Sequence, residues 1–455
     1  MSFRGPTVFA LLTALFCVSS SGAPPSADSR SIIGPGEFTP VLRPAPGQSQ
    51  VYVAAFRLDA RPVTNAQFLE FVRTRPQWRR DRVAALFADE GYLSHWAAAD
   101  ALGPGILPDQ PITRVSWFAA RAYCAAAGGR LPEWNEWEFA AAADERVADA
   151  RADPAWRARI LDWYARPATD PLKAVGLAEP NLYGIQDLHG LIWEWVEDFG
   201  SLMVSGDSRT QGDPDKLEFC GAGSISAQDR ENYPVLMRVA FLSALEGRST
   251  ARRLGFRCAE RAQAPVQTVP PPPAGSLPGN SLYRLDMDLE TAAGASVPFA
   301  ALRGKALLMT MFYGHCNSVC PMVTHQLQLL ERRLDPGTRA NIRVVMISLD
   351  PAADTPRELS RFSQQHRLDD SRWVIARTGP EAVRLLAAVL GVRYRQLPDG
   401  SFNHSTVIAL ADALGVIRSR MAGIQADDAE LVSVANSMYS ATAASRRDRA
   451  SRRRQ

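Results

Sequence analysis

Read for its hydrophobic and polar positions, the chain has two stretches of different grain. After residue 280, Ala306 to Tyr313 is an unbroken apolar run, as expected of a parallel strand buried on both faces. From Cys320 onward, Val323, Leu327 and Leu330 recur at helical spacing, and Ile342 to Leu349 is the next strand. Asp354 and Thr355 precede Pro356, a helix start with a cap and a proline in the first turn. Trp373 to Ala376 then reads as strand and Glu381 to Leu390 as helix. Val407 to Leu410 and Val416 to Ser419 flank the turn Asp412-Ala413-Leu414-Gly415, and Asp427 to Tyr439 is a last helix. This alternation predicts an α/β domain.

The first stretch is different. Its periodic segments are short and broken by Trp, Gly and Pro, which predicts irregular α+β structure with much loop. Ala119 to Ala127 is a short helical run closed by Gly128-Gly129. Leu131-Pro132 leads into a second helix with Trp134, Trp137 and Phe139 as packing residues. Trp193 and Trp195 alternate around Glu194, as in a strand with one face buried. Between the stretches, residues 261–280 are rich in Pro and Gly, and Pro270 to Pro273 read as a stiff polyproline spacer. The organisation expected is therefore residues 31–260, a linker over 261–280, and a second domain over 281–440. Residues 441–455 form a basic tail.

The chain has 455 residues and a net charge of +3. Arg446, Arg447, Arg449, Arg452, Arg453 and Arg454 against Asp448 put +5 in the tail, so the rest sums to −2. That balance excludes a nucleic-acid-binding body. Residues 1–23 read as a secretory signal: Arg4, the apolar run Val8 to Val18, then Ser21-Gly22-Ala23 as a small-residue cleavage site. No later stretch reaches 18 apolar residues, so no membrane span is expected in the mature chain, which is read as periplasmic. Cleavage leaves Cys124, Cys220, Cys258, Cys316 and Cys320. Disulfides persist in that compartment, and the odd count leaves at least one thiol outside them.

Four strings in the first half resemble the formylglycine-generating enzyme (sulfatase-modifying factor) family. They are PVTNAQFLEFV at 62–72, PITRVSWFAARAYCAAAGGRLPEWNEWEFAAA at 111–142, NLYGIQDLHGLIWEWVEDF at 181–199 and LGFRCAE at 254–260. The resemblance implies a fold related to C-type lectins and a disulfide between Cys124 and Cys258, leaving Cys220 as the odd thiol. It also implies a calcium site built from Asp187, the carbonyls of Gly190 and Ile192, and Glu194, with Leu191 where the family usually has Asn. A hard cation takes such oxygen ligands. Active members carry a cysteine pair soon after a Gly-Gly-Ser string. Here Gly221-Ala222-Gly223-Ser224 is followed by no such pair, and Cys220 stands before it. One thiolate cannot replace the two that hold Cu(I). This half also has only His95 and His189, too few for the histidine-rich iron site of other relatives. The half therefore reads as catalytically silent, and it resembles accessory proteins of this fold found with copper nitrite reductase.

In the second half Cys316 and Cys320 are four apart at a helix start, with Cβ atoms ~5–6 Å apart on one face. A disulfide needs ~3.8 Å, whereas a metal bridges the wider gap. The helix N-terminus favours thiolate, two thiolates suit Cu(I), and an added imidazole suits Cu(II). The strings FYGHCNSVCPM, SLDPAADTP and HSTVIALAD resemble the Sco/SenC family of exported copper proteins, with a thioredoxin-like fold. The resemblance implies copper ligands at Cys316, Cys320 and His404, and a cuproenzyme as client. The function expected is a metallochaperone, or a thiol reductase, for maturation of a periplasmic cuproenzyme, with the first half as recognition module. Two alternatives stand beside it: an active formylglycine-type oxidoreductase, and a plain thiol–disulfide oxidoreductase, which typically carries a CxxC pair.

Overall fold

The computed structural model describes residues 30–42, 50–165, 171–202, 233–261, 277–315, 319–397, 400–423 and 428–439. In the first domain, strand Phe56–Asp59 lies between Arg30–Ile33 and Ala259–Arg261, antiparallel to both, so the two ends of the domain meet in one sheet. Helix Asn65–Thr74 starts where Thr64 and Gln67 cap each other reciprocally, Gln67 N donating to Thr64 Oγ1 (3.2 Å) and Thr64 N to Gln67 Oε1 (2.8 Å). Helix Trp117–Ala126 begins two residues earlier than its alanine run suggested. Ser116 is the cap, and Trp117, fully buried, donates its indole N–H to the Val196 carbonyl (3.0 Å). Gly128, at φ 75°, follows its C-terminus. Cys124 on this helix is disulfide-bonded to Cys258, one residue before the last strand.

The core of this domain is aromatic, with Phe68, Phe71, Tyr123 and Phe256 in mutual contact. Trp193–Glu194 is a two-residue strand, parallel to Leu254–Gly255. Alternation would turn Glu194 away from the buried face, yet it is 0% exposed. Arg257, also 0% exposed, makes this tolerable. Its Nε donates to Glu194 Oε2 and its Nη2 to Oε1, both at 2.9 Å.

The second domain is a seven-stranded sheet in the thioredoxin-like arrangement. Strand Ala306–Phe312 is parallel to Ile342–Ser348, which is parallel to Trp373–Arg377. On the other side Val407–Ala411 and Ile417–Ala422 continue it antiparallel. Two features had no strong apolar signal. One is the edge hairpin Asp288–Thr291/Ser296–Pro298. The other is a separate hairpin, Tyr394–Gln396 with Phe402–His404.

The central strand divides its side chains by parity. Ala306, Leu308 and Phe312 pack with Val323, Leu327, Leu359 and Leu431 on one face. Leu307, Met309 and Met311 belong to the other face, with Val383 and Leu386 of helix Pro380–Leu390, and this cluster runs on without a break into the core of the first domain. The two halves therefore pack against each other. Across the seam Leu86 N donates to the Gly279 carbonyl (3.0 Å) and Arg384 Nη1 to Glu197 Oε1 (2.9 Å), while Arg121 pairs with Glu381.

Candidate metal centre

The central strand ends at Phe312 and leads through Tyr313, Gly314 and His315 to helix Val319–Arg333. Cys316 lies outside the described residues, as do Cys220 and the signal segment. Cys320 is in the first turn of that helix, 1% exposed and not in a disulfide. Its carbonyl accepts from Thr324 Oγ1 (2.8 Å).

The loop before the cysteines is held from below by Asp354. This carboxylate is 0% exposed, and its Oδ2 accepts from Gly314 N (2.9 Å) and from the Ser348 hydroxyl. Burial raises its pKa, and the two hydrogen bonds oppose that rise. A Cβ on Gly314 would sit 2.5 Å from Asp354 Oδ1, so only glycine lets the loop approach this closely. The helix cap itself is Thr355, which accepts from Glu358 N (3.4 Å). Asp354, which precedes a helix start in sequence, serves the cysteine loop instead. His315 is exposed, with Nδ1 3.6 Å from Asp354 Oδ1.

His404 ends the second strand of the hairpin and is 6% exposed. Its ring meets the Tyr313 ring edge-on, with centroids 5.8 Å apart, and Tyr313 also packs on Phe402 at 5.5 Å. Thr310 donates to the Val407 carbonyl (2.9 Å), fixing this crossing of the chain beside the end of the central strand. The fold thus brings His404 to the segment that leads into the cysteine pair. His325 is exposed, while His366 is half-buried with its ring 4.4 Å from Phe362, and burial lowers its pKa. Sequence reasoning missed Tyr313 and Gly314. The available signal was their place between a buried strand and the first cysteine.

Of the four residues expected to hold calcium, Asp187, Gly190, Ile192 and Glu194, the last is paired with Arg257. Glu194 Oε2 accepts from Trp137 Nε1 (2.9 Å) as well as from Arg257, and Arg238 donates to its main-chain carbonyl (2.6 Å). A cation there would face the Arg257 guanidinium. Asp187 accepts from Gly176 N (2.5 Å), and burial raises its pKa. Among the described residues no three His, Cys, Asp or Glu side chains converge as a metal-binding group. His95 and His189 are half-buried. Burial is the first cause that lowers each to about 4, so both are neutral near pH 7, and His189 lies edge-on to Trp137 and Trp156.

A family model of the sulfatase-modifying factor enzyme 1-like domain matches residues 19–262, and a SCO1/SenC model matches residues 278–439. The chain is 30% identical over 267 residues to the formylglycine-generating enzyme of Streptomyces coelicolor, covering 48% of this chain and 83% of that one. It is 29% identical over 255 residues to the inactive C-alpha-formylglycine-generating enzyme 2 of Mus musculus, covering 48% and 79%. Among solved structures, copper-bound ScoI of Arabidopsis thaliana matches at 20% identity and TM-score 0.29, covering 33% of this chain and 92% of that one. Copper-bound ScoI of Bradyrhizobium japonicum matches at 22% and TM-score 0.29, covering 34% and 97%. The chain belongs to the family of the sulfatase-modifying factor enzyme 1-like domain, and it joins to that domain a C-terminal SCO1/SenC domain.

Proposed function

We propose that the chain is an exported copper-binding protein that matures a periplasmic cuproenzyme, either by delivering copper or by reducing the client's cysteines. The observation that carries this reading is the meeting of His404 with Tyr313, three residues before Cys316. In this reading His404, the imidazole that the Sco/SenC resemblance marks as a ligand, stands beside the segment that leads to the cysteines. The donor set fits copper: two thiolates hold Cu(I), and the added nitrogen extends the site to Cu(II). Asp354 and Gly314 hold the approach to Cys316 in place.

The first domain serves in this reading as a catalytically silent recognition module. Between Ser224 and Arg257 the sequence has no cysteine, and Cys258 is committed to the disulfide. The thiolate pair that formylglycine formation requires is therefore missing. The test uses the full chain, because the two domains share a core. Anaerobic Cu(I) titration against a competing chelator should give one equivalent. Cys316→Ser with Cys320→Ser should abolish it, and His404→Ala should remove Cu(II) binding while Cu(I) still binds. Unchanged copper binding in the double cysteine variant would place the site elsewhere. Conversion of a sulfatase-type cysteine peptide to the aldehyde under air, over many turnovers, would refute the silent module.

A further inference from the structure

The hairpin Tyr394–Gln396/Phe402–His404 is not part of the seven-stranded sheet. It hangs between the end of helix Pro380–Leu390 and strand Val407–Ala411. A short two-stranded ribbon is marginal by itself. Here two arginines tie it to the first domain. Arg384 donates to Glu197 Oε1 (2.9 Å) across the seam and lines the same cavity as the Tyr394 side chain, on which its charge acts. Tyr394 is the residue directly opposite His404 in the hairpin register. Arg393 binds the Ser243 carbonyl of the first domain through its guanidinium. Its backbone is bonded both ways to Ser405, next to His404: Arg393 N donates to Ser405 Oγ (2.9 Å), and Ser405 N to the Arg393 carbonyl (2.8 Å). Glu197 is 2% exposed and is braced on its own side by Arg121 (2.9 Å). A cavity of about 430 Å³ runs along this seam, with Trp117, Phe199, Ala387, Val392 and Tyr394 among its walls.

We infer that the first domain is a clamp on the His404 hairpin, with Arg384 and Arg393 as positioning residues that set the geometry of the imidazole. The copper part of this inference rests on the reading of the site given above. The clamp itself concerns only the hairpin. Coupling between two sites is reciprocal in free energy. If the first domain narrows the range of His404, then a metal that captures His404 tightens the first domain's grip on the hairpin. Copper occupancy is thereby reported to the recognition module. Cu(I), held by the two thiolates, depends little on the clamp, whereas Cu(II), which needs the nitrogen, depends on it strongly.

The test compares full-length wild type with Arg384→Ala, Arg393→Ala, the double variant, and Arg384→Lys. Hydrogen exchange is read by mass spectrometry on the metal-free proteins, with residues 342–348 as the internal check of the fold. Losing two charge-assisted hydrogen bonds should speed exchange in 394–404 roughly tenfold or more in the double variant and leave 342–348 unchanged. Cu(II) affinity should fall roughly tenfold with a changed electron paramagnetic resonance spectrum, Cu(I) affinity should stay within about twofold, and Arg384→Lys should recover part of the loss. In wild type, Cu(II) loading should slow exchange at 239–247. Should the double variant fail to fold, Arg384→Ala decides alone, because Glu197 keeps Arg121. Exchange in 394–404 within about twofold of wild type would overturn the clamp, whatever copper does. Wild-type protein that binds neither form of copper would instead overturn the copper reading, with the exchange result still judging the clamp.

Discussion

Two buried carboxylates, one in each domain, are handled in opposite ways. In the first, Glu194 and Arg257 are wholly enclosed and satisfied. Arg257 donates to both carboxylate oxygens of Glu194 and to the carbonyls of Asp59, Ala60 and Gln186, while Trp137 donates to Glu194. In the second, Asp354 spends one oxygen on Gly314 and Ser348, and its Oδ1 is buried without a hydrogen bond, 3.6 Å from an exposed imidazole. A closed network fixes a structure and offers nothing to a ligand. A network with buried capacity left over marks where chemistry is held ready. The contrast separates a carboxylate that serves the first domain's scaffold from one that serves the cysteine loop.

Breaking the closed pair should have the largest effect. Arg257→Met leaves Glu194 buried and uncompensated, which costs about 3–5 kcal/mol. Chemical denaturation should show the first domain's transition collapsing or lost. A change below about 1 kcal/mol would mean that water reaches Glu194 and that the network is not closed. Removing the disulfide with Cys124→Ser and Cys258→Ser comes next. The bridge spans 134 residues, and its loss costs about 2–5 kcal/mol, read as a lower denaturation midpoint that reductant reproduces in the wild type.

On the open side, Gly314→Ala forces a methyl against Asp354 Oδ1 and should cost about 1–3 kcal/mol. It should also displace the cysteine loop, so Cu(I) affinity falls while Gly337→Ala, where a Cβ meets nothing, leaves it unchanged. Equal affinities in the two variants would mean that Asp354 does not position the loop.

The smallest effect depends on pH. Burial, with help from Glu133, raises Asp198 at the seam to about 7 from an ordinary 3.8. A carboxyl whose folded pKa is raised favours the folded state below its unfolded pKa, and that contribution is lost as pH rises through 7. Asp198→Asn should therefore gain on the wild type between pH 5 and pH 8, by about 1–2 kcal/mol after allowing for partial exposure. Parallel denaturation curves at the two pH values would mean that Asp198 is hydrated.

Periodicity and spacing were enough to read the second domain's central strands and helices. Ala306–Phe312 and Ile342–Ser348 are apolar at all positions but Thr310, Arg343 and Ser348 because both faces of the sheet are covered, and that signal is local. The four-residue step of the cysteines is equally local. Motif strings identified both families because the residues that build a fold recur in order. Other features depended on partners distant in sequence. That Glu194 is paired depends on Arg257, 63 residues on. Asp354 looks like a helix cap until Gly314 approaches from 40 residues away. The proline run reads as a spacer, yet the docking of the domains depends on Val383 and Leu386 meeting the other core and on Arg384 finding Glu197 187 residues back in the chain. Local pattern determines which elements form and which side chains are available. Whether a buried charge is open or spent is a property of the environment around it, and that environment exists only once the chain has folded back on itself.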